Sequence, residues 1–195
     1  MNGRSKQRGF TLVEVIVVVA VIAILAAVLT PYITKYIDDS RVAKAKNETQ
    51  VIGAAMASFY KDLGRWPNAN NAAANTTYGG VYAGSVAPTA ALFGAATGWA
   101  GAGAANWNSL DTHLNVYGHG YPNVAGEFRW NGPYAAPLPN DPWGRPYVIN
   151  ATQLSQTVFP TWVMSAGPDG VLNTNVGALP VVTIPQGDDI GFRIR

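Results

Sequence analysis

Fifteen consecutive residues without a polar side chain, Val15 to Leu29, constrain this chain more than anything else in it. As a helix, the stretch from Phe10 to Ile33 reaches roughly 36 Å, enough to cross a hydrocarbon core of ~30 Å with some tilt. A run that is apolar all round has no polar face to turn toward water. It must meet lipid, or an equally apolar surface supplied by other copies of the chain. A basic head (Arg4, Lys6, Arg8) stands before it, and Glu14 interrupts its first turn.

Three readings compete for this end. A secretory signal would place a small-x-small cleavage site behind the apolar run, but Ala20, Ala23, Ala26 and Ala27 form no Ala-x-Ala. A plain signal anchor fits the hydropathy and leaves Glu14 unexplained, although an ionisable residue in a spanning segment costs free energy and normally marks a function. Basic residues do not fix the orientation, because Lys35, Arg41, Lys44 and Lys46 follow the run as three precede it.

The residues resolve this. Lys6-Gln7-Arg8-Gly9-Phe10-Thr11-Leu12-Val13-Glu14 resembles the class III prepilin leader and cleavage site of type IV pilins and type II secretion pseudopilins. The resemblance implies cleavage between Gly9 and Phe10 by a prepilin peptidase, N-methylation of Phe10, and an assembly role for Glu14. A buried carboxylate and a buried ammonium are each costly alone, and pairing offsets much of that cost. Glu14 of one subunit would then pair with the Phe10 amine of its neighbour. Pro31 falls at the family's helix-bending proline.

Behind the apolar run, Ile52, Met56, Phe59 and Leu63 recur at i, i+4, i+7 and i+11, one stripe of an amphipathic helix. Gly64 and Pro67 stop it in the expected order. Phe10 to about Leu63 therefore reads as one helix, roughly 80 Å long if continuous, with a bend or local melting at Pro31. Residues 65–127 read as a long irregular region folded over the helix, with short helical pieces around Ala87–Phe93 and Asn108–Leu114, the latter with Ser109 as a cap. The scattered Tyr78, Tyr82, Phe93, Trp99, Trp107, Tyr117 and Tyr121 read first as packing anchors and second as a sugar-stacking platform.

From Phe128 onward strand signals take over: Tyr147–Ile149, Phe159–Met164, Val181–Ile184 and Ile190–Ile194. Asp141, Pro142 and Gly144 occupy i, i+1 and i+3 of a type I turn. The fold class expected is α+β, type IV pilin-like: a long N-terminal helix whose second half packs on a small antiparallel sheet of three or four strands. The domain organisation expected is a leader, 1–9; a transmembrane or filament-core helix, 10–31; and a globular head, 32–195. The head divides into an amphipathic helix (32–64), a variable region (65–127) and a sheet with a calcium loop (128–195).

Charge and residue inventory exclude other classes. Without Arg4, Lys6 and Arg8, 10 basic residues face 11 acidic ones, a net charge of −1 with no footprint for nucleic acid. The absence of cysteine removes disulfides and thiolate metal sites. His113 and His119, the only histidines, form with Asp111 no recognised triad or metal spacing, and no phosphate-cradling loop follows a strand. No enzyme is expected.

Asp141-Pro-Trp-Gly-Arg-Pro-Tyr147, Ser165-Ala-Gly-Pro-Asp-Gly170 and Asp188-Asp189-Ile190 resemble the G-type major pseudopilin of type II secretion. That resemblance implies a Ca²⁺ site at Asp169 and Asp189, with Asp188 and Ser165 as further ligands. Calcium takes six to eight oxygens, carbonyls included, and suits such loops. The stretch between the acids is rich in Val, Leu and Pro, where the family's loop is shorter and more polar.

The function implied is that of a structural filament subunit, a major pseudopilin that assembles in the bacterial inner membrane, head outward, and drives export of folded proteins. Its implied partners are further copies in a helical filament, prepilin peptidase, an assembly platform and ATPase, minor pseudopilins, and membrane lipid before assembly. A type IV pilus subunit for adhesion, motility or DNA uptake is the alternative, favoured by the enlarged middle. A membrane-anchored glycan-binding module is the alternative of a different class.

Overall fold

The computed structural model describes residues 9–68, 78–94, 96, 98–99, 107–122, 128–154, 159–176 and 185–195. By internal contacts the chain divides into two units, residues 1–40 and 41–195. Helix α1, Leu12–Leu63, contributes to both.

In the first unit α1 has no buried residue. Its large apolar side chains from Leu12 to Ile37 are 48–74% exposed, and it is the one described helix long and apolar enough to cross a membrane. The helix starts at Leu12 rather than Phe10, because Thr11 caps it. Pro31 lies inside α1, and the helix runs through it unbroken; of the two expected consequences, local melting does not occur. Beside it, Thr30 Oγ1 donates to the Ala26 carbonyl (2.7 Å) and Thr34 Oγ1 to that of Thr30 (3.1 Å).

In the second unit the amphipathic stripe is realised. Ala45, Thr49, Ile52, Gly53, Ala55, Met56, Phe59 and Leu63 are buried. Gly64 at φ +65° ends the helix as the sequence requires, its N–H donating to the Tyr60 carbonyl (2.8 Å).

The stripe packs on a sheet of strands β1 (Gly80–Ala83), β2 (Trp107–Ser109), β3 (Tyr147–Asn150), β4 (Trp162–Ser165) and β5 (Ile190–Arg193), in the order β2-β1-β3-β4-β5. The expected antiparallel sheet of three or four strands is therefore a mixed sheet of five. β1 and β2 pair in parallel, and the other neighbours are antiparallel. The two extra strands come from the region expected to be irregular. At three and four residues they are too short to show a period. The strand expected at Val181–Ile184 lies outside the described residues.

Three short helices complete the described elements: α2 (Ala90–Phe93), α3 (Asp111–Leu114) and α4 (Ala151–Leu154). α3 begins two residues beyond the expected cap. Asn108 and Ser109 belong to β2, and Leu110, which makes no side-chain cap, precedes the helix.

Side chains alternate across the sheet with the period of two that a strand dictates. Val81, Ala83, Tyr147, Ile149 and Val163 join the α1 stripe in one core. Val148 and Met164, with Tyr82 and Trp162 at the edge, face a second core made by Leu92, Phe93, Trp99, Trp107, Leu172 and Val176. Every residue of β3 is consequently buried. The middle region therefore does two things: Leu110, Leu114 and Tyr121 join the helix-side core, while its Trp and Phe residues roof the opposite face. Phe93 stacks on Trp107 at 5.2 Å, and Trp99 is anchored by an Nε1 bond to the Thr174 carbonyl (2.8 Å). These buried rings are packing anchors and present no platform to a sugar.

Helix and sheet are keyed by one close approach. A Cβ on Gly53 would stand 2.6 Å from the Phe192 ring, so a glycine in mid-helix, normally ~1 kcal/mol worse than alanine, is required there. Gly53→Ala should lower the urea midpoint of the detergent-solubilised chain, by roughly 1–3 kcal/mol of overpacking. Gly53→Ala with Phe192→Leu should recover part of that loss; equal midpoints for single and double variants would refute the contact.

Candidate functional site

The sequence points to two places, the first turn of α1 and the C-terminal turns. At the first, Thr11 and Glu14 form a reciprocal capping box. The Thr11 N–H and hydroxyl both donate to Glu14 Oε2 (2.9 Å each), and the Glu14 N–H donates to Thr11 Oγ1 (3.3 Å). Glu14 thus answers the Thr11 N–H and Thr11 Oγ1 that of Glu14, two donors at the helix start that no earlier turn can satisfy. The Thr-x-x-Glu spacing before an apolar run carried this signal, and the reading of the motif as a processing site passed over it. Gly9 and Phe10 precede the helix, exposed, with Phe10 at 87%.

At the second place the two motif turns are tied together by a buried carboxylate, which sequence reasoning read only as a turn residue. Asp141 is 4% exposed. Its Oδ1 accepts from the N–H groups of Trp143 (3.1 Å) and Arg145 (2.8 Å), and its Oδ2 from the Ser165 hydroxyl (2.7 Å). The Gly144 N–H closes the expected turn on the Asp141 carbonyl (2.9 Å). Arg145 reaches across to the Gly167 carbonyl (3.0 Å), and its guanidinium lies over Gly170, where a Cβ would stand only 2.0 Å from it. The charged and glycine positions of both motifs are thus accounted for by packing and hydrogen bonding.

The acids of the expected calcium loop lie next to this knot. Asp189 Oδ2 accepts from the N–H groups of Asn173 (2.9 Å) and Thr174 (2.7 Å) and from the Thr174 hydroxyl (2.6 Å). Asp188 Oδ2 accepts from the Asp169 N–H (2.9 Å), and Asp169 Oδ1 from the Val171 N–H (2.8 Å). The structure so brings Asp169, Asp188 and Asp189 around one short segment, while Ser165 is turned to Asp141 and to the Gly167 N–H. Residues 177–184 of the loop lie outside the described residues.

One feature here fits a cation. Asp189 Oδ1 is buried with no hydrogen-bond donor among the described residues, and burial holds the carboxyl above the usual carboxylate range despite its Thr174 and Asn173 donors. Asp189 also lines a cavity of ≈ 350 Å³ with Lys46, Thr49 and Gln50. Yet no three described acids or histidines stand close enough to share a metal, so a calcium ion would draw most of its oxygens from carbonyls.

The histidines form no site. His113 and His119 stack at 3.9 Å with their planes 9° apart, and lone pairs in nearly parallel ring planes do not converge on one ion. His113 Nδ1 meets the Tyr121 hydroxyl (2.5 Å) and His119 Nε2 the Thr112 hydroxyl (2.8 Å). They are locally hydrogen-bonded, and His113 is fully buried.

The comparisons agree with this division of the chain. Residues 4–30 match the family described as the prokaryotic N-terminal methylation motif, and residues 119–181 match that described as type II secretion system (T2SS), protein G. The second match takes in the Asp141 and Asp169 turns and stops short of Asp188 and Asp189. A fimbrial protein of Eikenella corrodens, EcpC, is 41% identical over 90 residues, 45% of this chain and 58% of that protein. The chain thus spans under two thirds of the relative it matches. No solved structure matches it. The leader motif, the protein G match and the fimbrial relative each cover part of the chain, and with an α+β fold led by an exposed apolar helix they make pilins and pseudopilins what it is similar to. The families matched are those of structural subunits and not of enzymes.

Burial, with the neighbouring His119, pulls the His113 pKa down to about 3. The unfolded chain, with His near 6.5, therefore takes up a proton that the folded chain refuses. This contribution is full above pH 6.5 and falls away with decreasing pH, by ~1.4 kcal/mol per unit. Urea midpoints measured from pH 7 to 5 should decline less steeply for His113→Gln; parallel slopes would show that His113 does not carry the linkage.

Proposed function

We propose that this protein is the major subunit of a type II secretion pseudopilus, made as an inner-membrane precursor and assembled into a helical filament that drives export of folded proteins. The observation that carries the reading is the methylation motif at the head of an apolar helix that buries none of its residues before Ala45. Such a surface needs lipid first and neighbouring subunits later. The protein G match favours a pseudopilus, and the fimbrial relative supports the second reading, a type IV pilus subunit for adhesion, motility or DNA uptake.

In this proposal prepilin peptidase cuts between Gly9 and Phe10 and methylates the new terminus. Glu14 caps its own helix through Oε2, which leaves Oε1 to receive the Phe10 amine of a neighbouring subunit. Extraction from lipid into a filament exchanges one apolar surrounding for another, so area burial gives little direction. The ion pair and a cytoplasmic assembly ATPase supply it, on a platform shared with minor pseudopilins. Pro31 gives the helix the freedom to bend on leaving the membrane.

Glu14→Ala in cells carrying the secretion machinery should leave a membrane-inserted, processed subunit that forms no filament; normal filaments from this variant would remove the pairing from the proposal. For the pseudopilus over the pilus, the readout is loss of exoprotein secretion with surface adhesion and motility intact.

Calcium enters the same proposal through Asp189 Oδ1, with carbonyls of the loop and with Asp169 and Asp188 at its two ends. Added Ca²⁺ should raise the melting temperature of the chelator-treated chain by several degrees, and Asp189→Asn should abolish the rise. An unchanged melting curve would exclude the ion.

A further inference from the structure

We propose that Tyr32, Lys35 and Tyr36 form an interfacial anchor that binds phospholipid headgroups at the outer border of the membrane and so sets the depth of Glu14 at the inner border. The inference rests on the membrane-inserted precursor stage proposed above.

The hydroxyls of α1 between Leu12 and Ile37 fall into two groups. Those of Thr30 and Thr34 are returned to carbonyls of their own helix, which is what a polar group needs in order to sit beside hydrocarbon. Those of Tyr32 and Tyr36 make no hydrogen bond among the described residues, and their side chains stand 61% and 72% exposed. An aromatic ring with an unsatisfied polar tip favours the headgroup layer, where the ring meets acyl chains and the hydroxyl meets water or phosphate. Lys35 lies on the same face, three residues after Tyr32 and one before Tyr36, and its long stem lets the ammonium reach the phosphates.

Spacing turns the anchor into a ruler. Tyr32 lies 18 residues after Glu14, about 27 Å along a helix, against a hydrocarbon core of ~30 Å. With Tyr32 held at the outer boundary, Glu14 lies within a few ångströms of the inner one instead of deep in hydrocarbon, where an ionisable group is most costly.

The chain has no cysteine, so Val13→Cys, Val21→Cys and Leu29→Cys can each carry a nitroxide on the full chain. The chain is reconstituted in phosphatidylethanolamine–phosphatidylglycerol vesicles, and depth is read from oxygen against nickel-chelate accessibility. In the Tyr32→Leu/Tyr36→Leu background, the labels at residues 13 and 29 should move along the membrane normal by about a helical turn, ~5 Å. Tyr32→Trp/Tyr36→Trp should keep the parental depth. Unchanged depth in the leucine background overturns the anchor. So does unchanged depth with lost filament formation, which gives the face to a second copy of the chain. A label at residue 21 that is accessible to the nickel chelate in the parental chain overturns the membrane reading itself, a failure distinct from that of the anchor.

Discussion

A helix that is apolar on every side and a helix that is apolar on one stripe demand different surroundings, and α1 is both in turn. Its residues from Val15 to Leu29 offer no polar side chain to water, whereas from Arg41 onward polar positions alternate with a buried stripe. The change comes over a few residues at Lys35–Arg41, which is where the first compact unit gives way to the second. The rest of the chain answers one half of that demand. Sheet, turns and roof exist to cover the stripe, and they leave the apolar half to lipid and to other subunits.

The cover is built economically from short pieces. Among the described residues no strand exceeds four residues, so pairing alone would leave the sheet marginal. Burial on both faces compensates, with the α1 stripe on one side and the Phe93–Trp99–Trp107 group on the other. Side-chain hydrogen bonds between residues far apart in the chain do what longer strands or disulfides do elsewhere. Asp141 and Arg145 join the turn before β3 to the turn after β4. The Tyr147 hydroxyl donates to Glu48 (2.5 Å), fastening β3 to the helix. Burial, with that bond, raises the tyrosine pKa and keeps the phenol protonated as a donor.

What was legible in the sequence was what is local. The apolar run, the Ile52–Leu63 stripe, the Gly64 stop and the Asp141 turn are each written within a few adjacent residues, and each takes the form its spacing requires. What was hidden depends on partners far along the chain. β1 and β2 exist because β3 offers Gly80–Ala83 an edge and β1 in turn offers one to Trp107–Ser109. Asp141 becomes a hub only when Ser165, 24 residues on, is folded against it. The role of Gly53 is invisible until Phe192 arrives, because a glycine inside a helical pattern reads as a weakness unless its neighbour is known. The residues expected to hold calcium lie in two places: Asp169 and Asp189 converge on Asn173 and Thr174, while the Ser165 hydroxyl donates to Asp141.

The fit of Phe192 against Gly53 has a mechanical meaning. A ring seated where one helical position lacks a side chain works as a detent: moving the helix by a single residue in either direction would bring Ile52 or Ala54 to the ring. Protein interiors resist such overlap steeply. Load applied to the part of α1 that carries the buried stripe is therefore passed to β5 and the sheet without slip.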